Sequence, residues 1–315
     1  MSTLTAGKTP RKVTPSNAPT HGVADRGVAW PTIALVTPSL NRAAYLEQAL
    51  RSVLDQGYPR LEYVVLDGGS ADGSREIIAR YADRLRYWHS EPDEGPYAAV
   101  ARGFAMTSGE IMGWLSADDC LHAGALHTVA AIFREFPQVA WITGPPSWLD
   151  ATGRAFVTGD VPRWSRLRLL SGDYRWIQQE STFWRRSLWE RAGAHLDTRY
   201  RLAADLELWV RFSRHAPLNT TTALLGAFRV LPDQRSRVHR AEYLAEAETI
   251  IAAEPRSKED RAGLKRLRRW QLIRRLPLLG ASWRVRLGLA RAYGFPPRIE
   301  LDPESGNLVL REPAP

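Results

Sequence analysis

Cysteine is nearly missing: Cys120 is the single one in 315 residues. One thiol excludes an intrachain disulfide and any zinc site built from several cysteines, and it fits a reducing compartment. Long apolar runs are missing too. No stretch approaches the roughly 18 consecutive apolar residues that span a bilayer, and the first thirty residues hold no apolar segment of the signal-peptide kind. Neither GxxxxGKS nor GxGxxG occurs, which disfavours nucleoside-triphosphatase and dinucleotide readings. No internal repeat is visible.

Acidic residues are scarce only at the ends. Residues 256–295 carry 12 Lys/Arg against 2 Asp/Glu, residues 1–30 carry 4 against 1, and the remainder sums to −4 within a net charge of +9. The body is mildly acidic and the basicity belongs to appendages, so a nucleic-acid-binding core is disfavoured and no nucleic-acid partner is expected.

Short apolar runs alternate with helix-period segments between residues 33 and 143. Runs at 33–37 (IALVT), 61–66 (LEYVVL), 85–88, 111–115 and 139–143 read as strands, with helices expected from 41, around 77–81, over 97–106 and over 125–136. The alternation predicts an α/β fold with a doubly wound, mostly parallel sheet flanked by helices. The second half is mixed and studded with tryptophan at 148, 164, 176, 184, 189 and 209, with helical patterns at 203–215 and 240–253. Residues 1–30, rich in Thr, Ser, Pro and Gly, read as a disordered arm. Residues 256–295 read as one or two basic helices broken at Gly280, with a stripe of Leu264, Leu267, Trp270, Ile273 and Leu276. That stripe either packs on the body or lies on anionic lipid. The Pro-rich end, 296–315, reads as a flexible tail.

Four polar clusters follow strand ends: Thr37-Pro38-Ser39-Leu40-Asn41, Asp67-Gly68-Gly69-Ser70, Glu91-Pro92-Asp93-Glu94-Gly95 and Ser116-Ala117-Asp118-Asp119. Each alone is an ordinary turn with a helix cap. In a parallel sheet their strand ends meet along one edge, where open α/β sheets bind ligands. Asp67 could accept hydrogen bonds from a base or a ribose, and the glycines allow close backbone approach. Adjacent acids repel unless solvated or shared with a cation, so Asp118-Asp119 could hold a divalent metal through hard oxygen ligands.

The runs TPSLNRAAYLEQALRSVLDQGYPRLEYVVLDGGSADGS, SEPDEGPYAAVARGF and GEIMGWLSADD, followed by QQESTFWRRSLWERAG and LAADLELWVRF, resemble a family 2 glycosyltransferase across residues 32–240. The resemblance implies a GT-A, Rossmann-like fold with a nucleotide-sugar half (31–143), an acceptor half (144–240), a helical extension (241–295) and a tail (296–315). It implies inverting, metal-dependent transfer (Mg²⁺ or Mn²⁺) from a nucleotide-sugar, usually a UDP-sugar, to a sugar or lipid-linked acceptor in cell-surface polysaccharide or glycolipid assembly. By matching block, Thr37, Pro38, Asn41, Asp67, Gly68, Ser70, Asp93, Gly95, Arg102 and Asp118 fall on the nucleotide-sugar. Asp118 and Asp119 match the metal pair, with Asp119 the direct ligand. Asp205 matches the catalytic base, and Gln179, Trp184 and Glu207 fall on the acceptor side.

Departures are Ala98 and Ala101, where relatives carry Asp and Asn, Ser116 in place of an acid, and no QxxRW signature of processive relatives. The expectation is a cytoplasmic enzyme, peripheral on the inner membrane face through residues 256–295. The rivals are a nucleotidyltransferase using the same edge, and a non-catalytic protein that binds lipid or nucleic acid through its basic tail.

Overall fold

Uncharged aliphatic runs such as IALV and YVVL suit strands covered on both faces. The computed structural model, which describes residues 29–174, 177–276 and 282–312, forms them into β1 (Ile33–Ser39) and β2 (Leu61–Asp67). In chain order follow β3 (Tyr87–Ser90), β4 (Ile111–Trp114), β5 (Cys120–Leu121), β6 (Trp141–Thr143), β7 (Ser147–Leu149), β8 (Ala155–Thr158), β9 (Thr182–Arg185), β10 (Asn219–Thr220), β11 (Gly226–Arg229), β12 (Arg298–Leu301) and β13 (Leu308–Arg311). The arm expected over 1–30 lies outside the described residues but for its last two, as do Trp176, Gly280 and the final three residues of the tail.

The seven-stranded sheet has the order β10-β6-β9-β4-β1-β2-β3. β1 lies parallel to β2 and β4, β2 to β3, and β10 to β6, while β9 runs antiparallel between β4 and β6. The sheet is mixed and mostly parallel, as expected. The chain leaves β1 for β2 and β3 on one side and returns to β4 on the other. That reversal makes a switch point between β1 and β4, with a crevice beyond their carboxyl ends. The third strand starts two residues later than its sequence suggests, because residues 82–84 wind into a 3₁₀ turn and pairing with β2 begins at Val64 and Tyr87. A smaller sheet, β5-β11-β7-β8, backs the loop after β4.

Each face of the large sheet carries its own core. One is mainly aliphatic, with Leu46, Leu50, Ile78, Leu126 and Val129 from helices Ala43–Leu54, Ser74–Ala79 and Ala125–Glu135 packed on β1 and β2. The other is aromatic. Phe104, Trp114, Trp141, Trp184, Trp209 and Phe212 meet edge to face, stacked or tilted with centroids 5.5–6.2 Å apart, within the range in which aromatic pairs stabilise beyond their buried area. Trp184 is 0 % exposed at the centre of this cluster. Its assignment to the acceptor side is therefore corrected: antiparallel insertion of β9 turns this ring into the core.

The basic extension divides in two. Helix Lys258–Arg274 begins with a capping box between Ser257 and Asp260. Its first turns are bound to the body: Arg166 pairs with Asp260 at 3.1 Å and with the buried Glu254 at 2.9 Å, and Gly263 lies against Leu167. Its second half packs on helix Trp283–Tyr293 through Leu267, Val285, Leu289 and Ala292. Most of the stripe thus packs within the protein, but its last member, Leu276, is 49 % exposed, and Leu272, outside the stripe, is 62 % exposed. Residues 298–311, expected to be loose, form the β12-β13 hairpin, because Ile299 is fully buried and its carbonyl accepts from Thr222 N at 3.1 Å. Among the described residues no helix is long and apolar enough to cross a membrane.

Candidate active site

The first three strand-end clusters are tied together by hydrogen bonds. Asn41 adopts a left-handed φ of 51°, a conformation asparagine tolerates better than most residues. Its backbone N–H donates to Ser70 Oγ at 2.7 Å, and its side-chain oxygen accepts from Ala71 N at 3.0 Å. Gly68 N donates to Ser39 O at 2.8 Å. Asp67 accepts from Ser70 N at 2.8 Å, Ser70 Oγ at 2.5 Å and Ser90 Oγ at 2.7 Å. Asp93 Oδ1 accepts from Gly95 N at 2.8 Å, and a Cβ on Gly68 would stand only 3.2 Å from the Asp93 carboxylate. The structure thus brings Asn41, Asp67, Gly68, Ser70, Asp93 and Gly95 to one edge. Pro38 extends β1 beside Leu66. Thr37 is corrected: it is fully buried with Oγ1 on the Tyr63 hydroxyl at 2.8 Å, so its side chain faces the core. Arg102 is exposed on helix Pro96–Ala105.

The fourth cluster is held by charge. Asp118 meets Arg42 Nε at 3.3 Å, and Arg42 also reaches Asp233 at 3.1 Å. Asp119 is buried and accepts from Arg229 N at 2.8 Å. Arg229 itself is fully buried on β11. It donates to Asp118 O at 2.6 Å, to Asp150 O at 3.0 Å and to Gln48 Oε1 at 2.8 Å, with its guanidinium 5.1 Å from the Tyr45 ring. Burial pushes the carboxyls of both acids up, and for Asp119 the charges of Glu180 and Asp118 add to it. Burial also holds the Cys120 thiol up at about 11, consistent with a buried small side chain. A cavity of about 650 Å³ borders this loop through Cys120 and His122, and none of the sequence-predicted site residues lines it.

Asp205 sits in the first turn of helix Ala204–Phe212. Its Oδ1 accepts from Leu206 N at 2.8 Å and from the Tyr97 hydroxyl at 3.3 Å. Burial raises its carboxyl to about 6, against these two hydrogen bonds. Glu180 joins the two ends of the site. It is 2 % exposed, its Oε1 has no hydrogen-bond partner, and burial together with the charges of Asp205 and Asp118 raises it to about 8. The charges of Asp118 and Asp205 thus both act on this one buried carboxyl. Two acceptor-side residues are engaged elsewhere. Gln179 donates to the carbonyl of Trp114 and approaches Ser116 Oγ at 3.5 Å, steadying the loop before Asp118. Glu207 pairs with Arg211 at 2.6 Å, and Arg211 also donates to the carbonyls of Ala192 and His195.

Arg42, Glu180 and Arg229 were not singled out by sequence. Glu180 adjoins the chosen Gln179, and Arg42 directly follows Asn41. Adjacency was the available signal for those two. For Arg229, on a four-residue strand 110 positions from Asp119, there was none.

A mostly parallel sheet flanked by helices, with a crevice at the switch point beyond β1 and β4, defines a GT-A fold. The family model "Glycosyl transferase family 2" matches residues 34–190. The PGL/p-HBAD biosynthesis glycosyltransferase Rv2957 of Mycobacterium tuberculosis is 31 % identical over 188 residues, 58 % of this chain and 70 % of that protein. The chain belongs to glycosyl transferase family 2. Two solved structures share the fold at low identity. S. aureus TarS 1–349 in complex with UDP-GlcNAc has a TM-score of 0.59 at 14 % identity, covering 84 % of this chain and 80 % of that one. The mannosyltransferase PcManGT from Pyrobaculum calidifontis, in complex with GDP-Man and Mn²⁺, has a TM-score of 0.57 at 19 % identity, covering 75 % and 68 %.

Proposed function

We propose that this protein moves a sugar from a nucleotide-sugar, a UDP-sugar, to a hydroxyl acceptor with inversion at the anomeric carbon, in cell-surface polysaccharide or glycolipid assembly. The observation that carries the reading is the edge beyond β1, β2 and β4, where the Asn41 and Asp67 loops are hydrogen-bonded together and Arg42, next to Asn41, pairs with Asp118. Asp205, buried in the first turn of its helix, is the separate candidate base. The relative named for glycolipid-type biosynthesis and the neighbour holding UDP-GlcNAc support the substrate classes.

Asn41, Asp67, Gly68 and Ser70 form the nucleoside end, where Asp67 reads the base and Gly68 lets backbone approach. Asp118 and Asp119 form the diphosphate end. Their chemistry fits a divalent cation: both are hard oxygen donors, and both are raised by burial that Arg42 and Arg229 do not fully offset. Among the described residues no group of three or more His, Cys, Asp or Glu could hold a metal. Asp118 and Asp119 would therefore share Mg²⁺ or Mn²⁺ with substrate phosphates, the usual arrangement for Mg²⁺. When bound, the ion supplies charge stabilisation to the leaving diphosphate.

Asp205 takes the proton of the acceptor hydroxyl. Its two hydrogen bonds fall on Oδ1, which leaves Oδ2 for that proton. With a carboxyl near 6 it is largely ionised at neutral pH and more basic than an ordinary aspartate. One base and one displacement from the opposite face invert the anomeric centre. A nucleotidyl transfer has no need of a base for a sugar hydroxyl, so Asp205 favours sugar transfer. The basic C-terminal helices seat the enzyme peripherally on an anionic membrane face, where a lipid-linked acceptor lies; exposed Leu272 and Leu276 among arginines suit that role.

The test is Asp205→Asn. Transfer falls by about 10²–10⁴-fold while UDP binding stays within about twofold; comparable transfer by the variant removes Asp205 from its role.

A further inference from the structure

The two C-terminal helices enclose a groove of about 470 Å³ lined by Arg266, Trp270, Arg284, Leu287, Gly288, Arg291 and Ala292. The helices come close because residue 288 lacks a side chain: a Cβ there would stand 2.4 Å from the Trp270 ring. The indole is thereby laid against the second helix, at the groove. Positions 284, 287, 288, 291 and 292 fall on one face of helix Trp283–Tyr293, so Arg284 and Arg291 stand a helical spacing apart on the same wall. Arg266 faces them from the longer helix. No acid lines the groove, and from Lys265 to Phe295 the chain has nine basic residues and no Asp or Glu. Arg266 and Arg291 form no salt bridge within the protein among the described residues. Three guanidiniums around one aromatic wall match the planar, forked donors that recognise phosphate oxygens.

We propose that this groove binds the phosphate of a membrane-lipid headgroup, seating the enzyme on the bilayer through a defined site as well as through diffuse charge. The inference rests on the membrane reading above and adds a site to it. Charge complementarity selects the occupant, since an anion is the ligand that pairs with Arg266 and Arg291 in a groove without an acid. Leu276, exposed just past the cap of the long helix, offers apolar surface that a bilayer, unlike a soluble phosphate, would cover, whereas the exposed Leu272 lies on the opposite face beside Arg268.

The experiment is sedimentation of the full chain with vesicles of phosphatidylcholine alone, and with phosphatidic acid or phosphatidylglycerol at matched surface charge. The parent is expected to bind anionic vesicles and to prefer phosphatidic acid, whose phosphate is the more accessible. Arg266→Gln with Arg291→Gln should weaken binding about tenfold or more. Arg268→Gln with Arg275→Gln removes the same charge about half a turn round the helix, and should weaken it less than threefold. Equal losses from the two pairs, or no headgroup preference, overturn the groove while the membrane reading stands. Failure of the parent to bind anionic vesicles overturns both. Binding of inorganic pyrophosphate to the groove without vesicle binding overturns the lipid source. UDP affinity and far-ultraviolet circular dichroism check folding; should the double variant misfold, the exposed Arg291→Gln carries the same comparison alone.

Discussion

Asp67 beyond β2 and Asp119 beyond β4 are equally buried, each 2 % exposed, yet their surroundings differ. Asp67 receives three hydrogen bonds from Ser70 and Ser90, and its loop is tied to Asn41. Asp119 receives one, from Arg229 N, and faces the charges of Glu180 and Asp118. Burial alone therefore does not mark where chemistry occurs. Under the proposed function the β2 end is the finished receptor, since its acid is already oriented by three hydrogen bonds. The β4 end is electrostatically incomplete, and a cation with a diphosphate would complete it.

The largest expected effect lies outside both strand ends, at Asp205 on helix Ala204–Phe212. Alongside the loss expected of Asp205→Asn, the parent's transfer rate should rise about tenfold per pH unit below about 6 and level off above it, since Asp205 acts only when deprotonated. A pH–rate profile of kcat/KM checks this; a flat profile from pH 5 to 7 contradicts it. Next in size, Trp184→Ala should lower stability by about 3–5 kcal/mol through cavity formation in the aromatic core, read by denaturant unfolding. A loss under 1 kcal/mol with a raised acceptor KM would return Trp184 to the acceptor side. At the finished end, Asp67→Ala leaves the Ser70 and Ser90 donors without their acceptor and removes the contact to the base. UDP affinity should drop about 10–100-fold, with or without metal. The smallest effect belongs to Ser70→Ala, which deletes one hydrogen bond to Asp67 and one from Asn41. It should weaken UDP binding by about tenfold at most, measured by the same titration.

The finished end was the more legible in sequence. Its loops follow consecutive parallel strands, whose carboxyl ends must share an edge, so Asn41, Asp67, Ser70 and Asp93 could be gathered without knowing any contact. Asp118 and Asp119 followed from the same rule. Asp205 did not follow from strand order and came from the resemblance of its surrounding block. What stayed hidden depended on the second half of the chain. β9 enters antiparallel between β4 and β6, and this carries Trp184 into the core and buries Glu180 in the turn just before the strand. Local pattern cannot foresee that insertion. Thr37 misled for a related reason: it precedes a site loop, but the strand's alternation turns its hydroxyl inward to Tyr63.

The contrast is tested most directly by calorimetric titration of UDP with and without Mn²⁺ in the parent, Asp67→Asn and Asp119→Asn. The account predicts that Mn²⁺ raises UDP affinity in the parent and in Asp67→Asn but leaves Asp119→Asn unchanged. Identical UDP affinity with and without Mn²⁺ in the parent would contradict it.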